Sequence, residues 1–220
     1  DGYWNTNTES PSNQLHPSSG SYGPFDMSGN GVNDQDGLTT VTRPSYEKGK
    51  YEDTLADVAF YYYHTDLRPG TCSVCKDNVT PAGTKQDEDD VATHQHMTTF
   101  TIGLGVDGTL AYQDGYRTST TGDYVAIKQG TLNWPDAISN SGDERIDDLW
   151  HAAVNGRGTY FSARDPQSLE DGLKSALGAA EQKTGSGAAA ATSNLQPTPG
   201  DNSIFIANYR TLKWDGELTS

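Results

Sequence analysis

Apolar positions are sparse along this chain, and where they recur they do so in short, well-bounded segments. The first strong segment opens at Thr54-Leu55-Ala56-Asp57, a capping box in which the Thr54 hydroxyl and the Asp57 carboxylate can each satisfy an otherwise unpaired amide. Leu55, Val58, Ala59 and Tyr62 then fall at i, i+3, i+4 and i+7, which predicts a helix over 53–64, with Pro69 closing off further extension. Met97-Thr98-Thr99-Phe100-Thr101-Ile102-Gly103-Leu104-Gly105 is rich in β-branched and aromatic residues and bounded by glycine, so a strand is predicted over 98–104. Ser141-x-x-Glu144 offers a second capping box. Ile146, Leu149, Ala153 and Val154 form the next stripe, predicting a helix over 145–154 that stops at Gly156. Thr159-Tyr160-Phe161 marks a strand over 158–162. Asp165-Pro166 opens a third helix over 166–180, with Asp165 as its cap and Leu169, Leu173, Ala176, Leu177 and Ala180 on its buried face.

Strands alternating with helices predict an α/β fold in which the two strands lie parallel with helices on the sheet faces. Two strands are too few for a stable sheet, so further strands are expected ahead of Asp1. The opening Asp1-Gly2-Tyr3-Trp4-Asn5 itself reads as a loop of a longer protein. Residues 6–52, 70–94 and 113–142 lack apolar periodicity and read as polar, loop-like insertions. Residues 184–199 read as a linker. Beyond it, 203–210 and 212–220 alternate or run apolar-aromatic, with Asp215-Gly216 as a turn, and predict the start of an all-β module over 200–220.

Charge narrows the partners. Thirty Asp and Glu against fifteen Lys and Arg leave a formal net charge of −15, and no basic cluster exceeds two residues. Such a surface repels phosphate backbones, so nucleic acid is excluded as a partner while divalent cations fit. No apolar run approaches the roughly 18 residues of a membrane span. The loop Gly29-Asn30-Gly31-Val32-Asn33-Asp34-Gln35-Asp36-Gly37 partly matches a calcium loop. Asp34, Asp36 and Gly37 fit positions 3, 5 and 6 of the EF-hand template, but Val32 and Arg43 stand where ligands belong. The EF-hand reading therefore fails; an irregular calcium site at Asp34 and Asp36, or a tight Asx-rich turn, remains.

The two cysteines form a C-x-x-C pair, Cys72 and Cys75, in a loop context. A structural disulfide in an oxidising compartment fits this better than a redox motif, which belongs at a helix N-terminus. A zinc site would need His94 and His96 as its remaining ligands. No nucleophile elbow, H-E-x-x-H or glycine-rich phosphate loop occurs, so no enzyme is expected and no catalytic residue is assigned. His64, His94, His96 and His151 read as surface or helix-packing residues. Asp147 and Asp148 read as dipole-favoured acids of a first helical turn, and Asp87-Glu88-Asp89-Asp90 as a solvated loop. Tyr61-Tyr62-Tyr63 reads as half core and half surface, with exposed rings available for binding.

The segments DGYWN (1–5), DTLADVAFYYYHTDLRP (53–69), QHMTTFTIGLGVDGTL (95–110), GTLNWP (130–135), RIDDLWHAAVNGRGTYFSARDPQSLEDGLKSAL (145–177) and AAAATSN (188–194) occur here in this order. Together they resemble the PilY/PilC-type tip proteins of type IV pili, covering over half the chain, and GDNSIFIANYRTLKWDGEL (200–218) resembles that family's passage into a C-terminal β-propeller. The resemblance implies that residues 1–183 are the second half of a von Willebrand factor A (vWA) domain. It further implies an exported adhesin or assembly factor at the bacterial surface, acting with minor pilins at the pilus tip and with a surface or host-cell receptor. Related vWA domains hold Mg²⁺ or Ca²⁺ at an adhesion site. Asp1 matches that site's Asp loop, while its D-x-S-x-S and Thr loops do not occur in these residues; a plain turn cap is the other reading of Asp1. Another vWA-bearing surface or scaffold protein is the alternative function.

Overall fold

The computed structural model describes residues 25–71, 77–139, 142–164, 166–181, 186–192, 204–210 and 215–219. The chain divides into two compact units, 1–176 and 177–220.

In the first unit, α1 (Leu55–His64) begins at the predicted capping box: Asp57 N donates to Thr54 Oγ1 and Thr54 N donates back to the Asp57 carboxylate. Two amides of its first turn remain. Both are taken by Asp148, a residue of α3 (Glu144–Asn155), which accepts from Leu55 N at 3.0 Å and from Ala56 N at 3.3 Å. The buried face of α1 is set one position away from the predicted stripe, on Ala56, Ala59 and Tyr63, with Leu55, Val58 and Tyr62 half-buried. The cause is close approach. α1 packs on α3, and Asn155 donates to the carbonyl of Ala56 at 3.0 Å, so alanines face the seam.

Strand β1 (Thr99–Leu104) pairs in parallel with β2 (Arg157–Ala163), as the alternating pattern predicts, with Thr101 opposite Tyr160 and Leu104 opposite Ala163. Helix α3 lies in the connection between them and packs on both. It starts at Glu144 with Asp143 as N-cap and no side-chain cap bond. The predicted capping box is therefore not formed with Glu144 at its third position, and Ser141 lies outside the described residues. Gly156 does end α3, but at φ −82°; the left-handed residue is Arg157, at φ 58°. Glycine is required at 156 because a side chain would press into Thr99. At Gly158 a Cβ would collide with the Thr99 carbonyl itself.

The insertion 113–142 is not a loop. It contains α2 (Asp123–Gln129), which ends at a left-handed Gly130, and it supplies much of the core. Trp150 of α3 sits at the centre of that core. Tyr112, Tyr116, Tyr124, Trp134 and Tyr160 surround it with ring centroids 5.0–6.0 Å away, Tyr124 and Tyr160 stacked and the others edge-on. Ile127, Ile146, Ala153 and Val154 complete it. Trp134, from the N-W-P turn, stacks on His151 at 4.3 Å and donates its indole N–H to the Pro44 carbonyl.

Residues 25–52 carry no helix or strand beyond a bridge between Phe25 and Gly31. Side chains fasten this segment instead. Arg43, which precedes a cis Pro44, donates to the carbonyls of Ile127 and Leu132 and to Asn133 Oδ1. The acidic run 87–90, expected as a solvated loop, is also a fastening point. Asp87 accepts from Thr42, Glu88 pairs with Lys128, Asp89 accepts from two loop amides, and Asp90, 5% exposed, pairs with His96.

Helix α4 (Pro166–Glu181) forms as predicted, and its predicted cap Asp165 lies outside the described residues. Gly172 is buried where a Cβ would press on Phe161, whereas of the leucines expected on the buried face Leu169 is half-buried and Leu173 and Leu177 are exposed.

In the second unit, β3 (Ser186–Thr192), β4 (Ile204–Arg210) and β5 (Asp215–Thr219) form an antiparallel sheet in that order. Two readings change. The segment expected as a linker carries β3, whose four alanines find an extended partner in β4, from Ala188 opposite Asn208 to Ala191 opposite Phe205. Asp215 and Gly216, expected as a turn, already belong to β5, opposite Arg210 and Tyr209.

Candidate functional site

The loop at 32–37 is where the sequence-predicted calcium residues meet the start of α1. Val32 is buried beneath it, and Asn33, at φ 56°, turns the chain. Asp53 accepts from Asn33 N at 2.8 Å and Asp57 Oδ1 from Gln35 N at 2.7 Å, which holds the loop against the helix N-terminus. Asp34 Oδ1 accepts from Gly37 N, three residues on, at 2.6 Å and closes a tight turn. The tight turn, one of the two readings of this loop, is made.

The gathering extends beyond the predicted pair. Asp34, Asp36 and Asp57 each bring a carboxylate oxygen within 4.8 Å of the others. Asp36 is wholly buried. Its Oδ2 accepts from Asn155 Nδ2 at 2.6 Å and lies 3.5 Å from His151 Nε2, while its Oδ1, sealed from solvent, has no hydrogen-bond partner among the described residues. Glu47, 2% exposed, accepts from Tyr51 N, and its own amide donates to the Asp36 carbonyl. Asp148 lies alongside, 5% exposed, on the α1 amides. Among the described residues no Lys or Arg pairs with any of the five.

Burial of like charges sets their protonation. Removal from water, and then the neighbouring charges of Asp57, Glu47 and Asp148, raise Asp36 well above the ordinary carboxylate range. Burial likewise lifts Glu47 to about 8, Asp148 to about 7 and Asp57 to about 6, against the pull of the amides each accepts from. His151 does not offset this. Burial holds it neutral, with its value lowered to about 3, and Nε2–H donates to the Ser45 carbonyl at 2.8 Å. Such a cluster has two chemical options: it keeps protons, or it accepts a hard cation.

The other candidates sort by burial and bonding. Asp147 accepts from Thr109 N, Thr109 Oγ1 and Leu110 N, a structural tie between the turn after β1 and α3. His94 Nε2 is engaged with the Tyr63 carbonyl and His96 Nδ1 with that of His94. The tyrosine run is structural too. Tyr61 accepts from Met27 N, Tyr62 donates to the Phe25 carbonyl, and Tyr63 accepts from Val91 N beneath the Arg157 guanidinium. Asp1, Cys72 and Cys75 lie outside the described residues, so the adhesion-site and disulfide readings rest on sequence alone.

Asp57, Glu47 and Asp148 are the members that sequence reading missed, Asp148 having been read only as a dipole-favoured acid of its own helix. Asp57 already had a complete local explanation in the capping box. Glu47 stands eleven residues from Asp36 with no spacing that ties them.

The chain is 34% identical over 201 residues to the type IV pilus biogenesis factor PilY1 of Pseudomonas aeruginosa PAO1, covering 84% of this chain. It is 30% identical over 237 residues to that of strain UCBPP-PA14, covering 99%, and 35% identical over 184 residues to that of strain PAK, covering 76%. This chain is PilY1-like. It spans only 17%, 19% and 15% of the lengths of those three relatives. No family model and no solved structure matches it. Among its described residues no helix is long and apolar enough to cross a membrane.

Proposed function

We propose that this chain is the vWA-like segment of a type IV pilus biogenesis factor that is exported to the bacterial surface, stands with minor pilins at the pilus tip and contributes to attachment to surfaces or host cells. The observation that carries the reading is the PilY1 similarity along 76–99% of the chain. The parallel β1–β2 pair with a helix in its connection agrees with the vWA part of it. The absence from the sequence of any nucleophile elbow or phosphate loop agrees with a binding role, not an enzymatic one.

The test is genetic. In a bacterium carrying the full-length protein, residues 25–176 are deleted in frame, and surface pilin, twitching and adherence are measured beside a strain lacking the whole gene. Loss of surface pilin equal to that of the null strain supports an assembly role. Normal piliation with lost adherence supports an adhesive one. Wild-type behaviour in all three assays, with the truncated protein present at the surface, refutes the proposal.

A further inference from the structure

Arg157 opens β2 at φ 58°, a left-handed conformation that glycine takes without steric cost and arginine does not. What an arginine adds at that position is its guanidinium. The residue is 7% exposed. Its Nη1 donates to Ser45 Oγ at 3.0 Å and to the Val154 and Asn155 carbonyls at the end of α3, at 3.1 and 3.4 Å. The Tyr63 ring centroid lies 4.9 Å from Cζ. These contacts use one corner and one face of the group. The opposite edge is unfilled: among the described residues neither Nε nor Nη2 meets an acceptor, and Nε is buried in that state. No carboxylate of the described residues forms an ion pair with Arg157 either. A buried cation ordinarily has a counter-charge, and a buried N–H an acceptor.

Arg157 also lines a cavity of about 320 Å³ between the 35–45 segment, α1 and residues 86–87. We propose that this cavity binds a singly charged carboxylate on a short apolar stem, held by the Nε–Nη2 edge of Arg157. The two N–H groups of that edge run parallel, at the spacing of a carboxylate's two oxygens. Ser45 Oγ accepts from Nη1, which leaves its own proton to donate, and Thr40 offers a second hydroxyl on the cavity wall. Leu38, Val41 and Phe60 supply the apolar part of that wall. Asp87 limits the charge of the ligand. It lines the same cavity, its carboxylate accepting from Thr42 Oγ1 at 2.6 Å, so a doubly charged anion such as phosphate meets repulsion that one guanidinium does not offset. A free organic acid and the terminal carboxylate of a protein chain both carry this chemistry. The cavity lies wholly within the first compact unit and does not depend on the pilus reading.

The test records the arginine Nε–H and backbone amide signals of the ¹⁵N-labelled 220-residue chain while sodium butyrate replaces sodium chloride at constant ionic strength. The Arg157 Nε–H signal is identified as the one missing from Arg157→Lys. It is expected to move saturably with butyrate in the millimolar range, and not with butyramide, which has the same stem without the charge. Arg157→Lys keeps a positive charge but not the parallel edge, and is expected to weaken butyrate about tenfold or more, read at the amides of residues 38–45. Leu38→Asp, at the exposed rim of the cavity, is the companion variant should the first not fold. Its carboxylate competes with the ligand, and the same loss is expected. A peptide ending in a free leucine carboxylate, compared with its amide, separates the two sources. Tighter binding than butyrate assigns the cavity to a chain terminus; affinity no better than that of butyrate assigns it to a free acid. No saturable shift, an equal shift with butyramide, tighter binding of inorganic phosphate, or a response that survives both substitutions overturns the site.

Discussion

Trp150 offers the sharpest quantitative check on the first unit. It is 2% exposed and has five aromatic neighbours, four of them (Tyr112, Tyr116, Tyr124 and Trp134) from the stretch between β1 and α3. Truncation to alanine forfeits the burial of the largest side chain and leaves a cavity, a cost of about 4 kcal/mol. Aromatic pairs add about 0.5–1.5 kcal/mol each beyond area, although five around one ring do not sum independently. Trp150→Phe keeps a ring against Tyr124 and Tyr160 and leaves a smaller void, so its cost is about 1–2 kcal/mol. Trp150→Leu keeps apolar volume but no ring, and falls between, at about 3 kcal/mol. Urea unfolding followed by far-UV circular dichroism, with the transition slope checked for constancy across the series, gives the order Phe, Leu, Ala. A Trp150→Ala cost below about 1.5 kcal/mol would refute the placement of Trp150 at the centre of the core. Equal costs for Phe and Leu would show that the ring geometry contributes nothing.

His151 makes stability pH-dependent. Its folded value of about 3 lies below the unfolded value of about 6.5, so its contribution is complete above pH 6.5 and is lost as pH falls toward 3. Between pH 7 and 4.5 the wild type is expected to lose about 2–3 kcal/mol relative to a His151→Gln variant, read from paired urea titrations; parallel pH curves would exclude a buried neutral histidine. Gly158→Ala drives a methyl group into the Thr99 carbonyl, so the start of the β1–β2 seam is expected to open at a cost of about 2 kcal/mol, with faster amide exchange at residues 99–101. Unchanged exchange there would mean the strands are not as close as described.

Much of the first unit was legible because its elements carry their own local signals. The Thr54–Asp57 box starts α1, a β-branched and aromatic run marks β1, Thr159-Tyr160-Phe161 marks β2, and Pro166 opens α4. Helix α2 carries none of these. It is seven residues long, its N-cap is Gly122 with no side-chain bond, and its apolar run Tyr124-Val125-Ala126-Ile127 is too short to show a helical period. Tyr112, Tyr116 and Trp134 have no period at all, because they approach Trp150 from irregular backbone; only tertiary packing makes them core. The same limit governs the acidic cluster. Asp34 and Asp36 could be picked out by their spacing, but Asp57 is brought to them by the fold across about twenty residues, and Asn155, which orients Asp36, by more than a hundred. The exposed Leu173 and Leu177 show the converse error, since periodicity reports a helix's apolar stripe and not whether anything covers it.

The capping of α1 by Asp148 carries a consequence for how the chain acquires its structure. The two amides that follow the N-cap find their acceptor 92 or 93 residues downstream, so the capping of α1 is not complete until α3 has been made and docked. Helix nucleation is the unfavourable step in isolated segments of this length. Here the local Thr54–Asp57 box is joined by a long-range cap, whose loop-closure entropy must be overcome before α1 gains those two hydrogen bonds. During synthesis from the N-terminus, residues 53–64 would therefore emerge as an incompletely formed helix and stay so until about residue 155 had left the ribosome. The 25–52 segment, which the same helix end holds by Asp53 and Asp57, would stay loose with it.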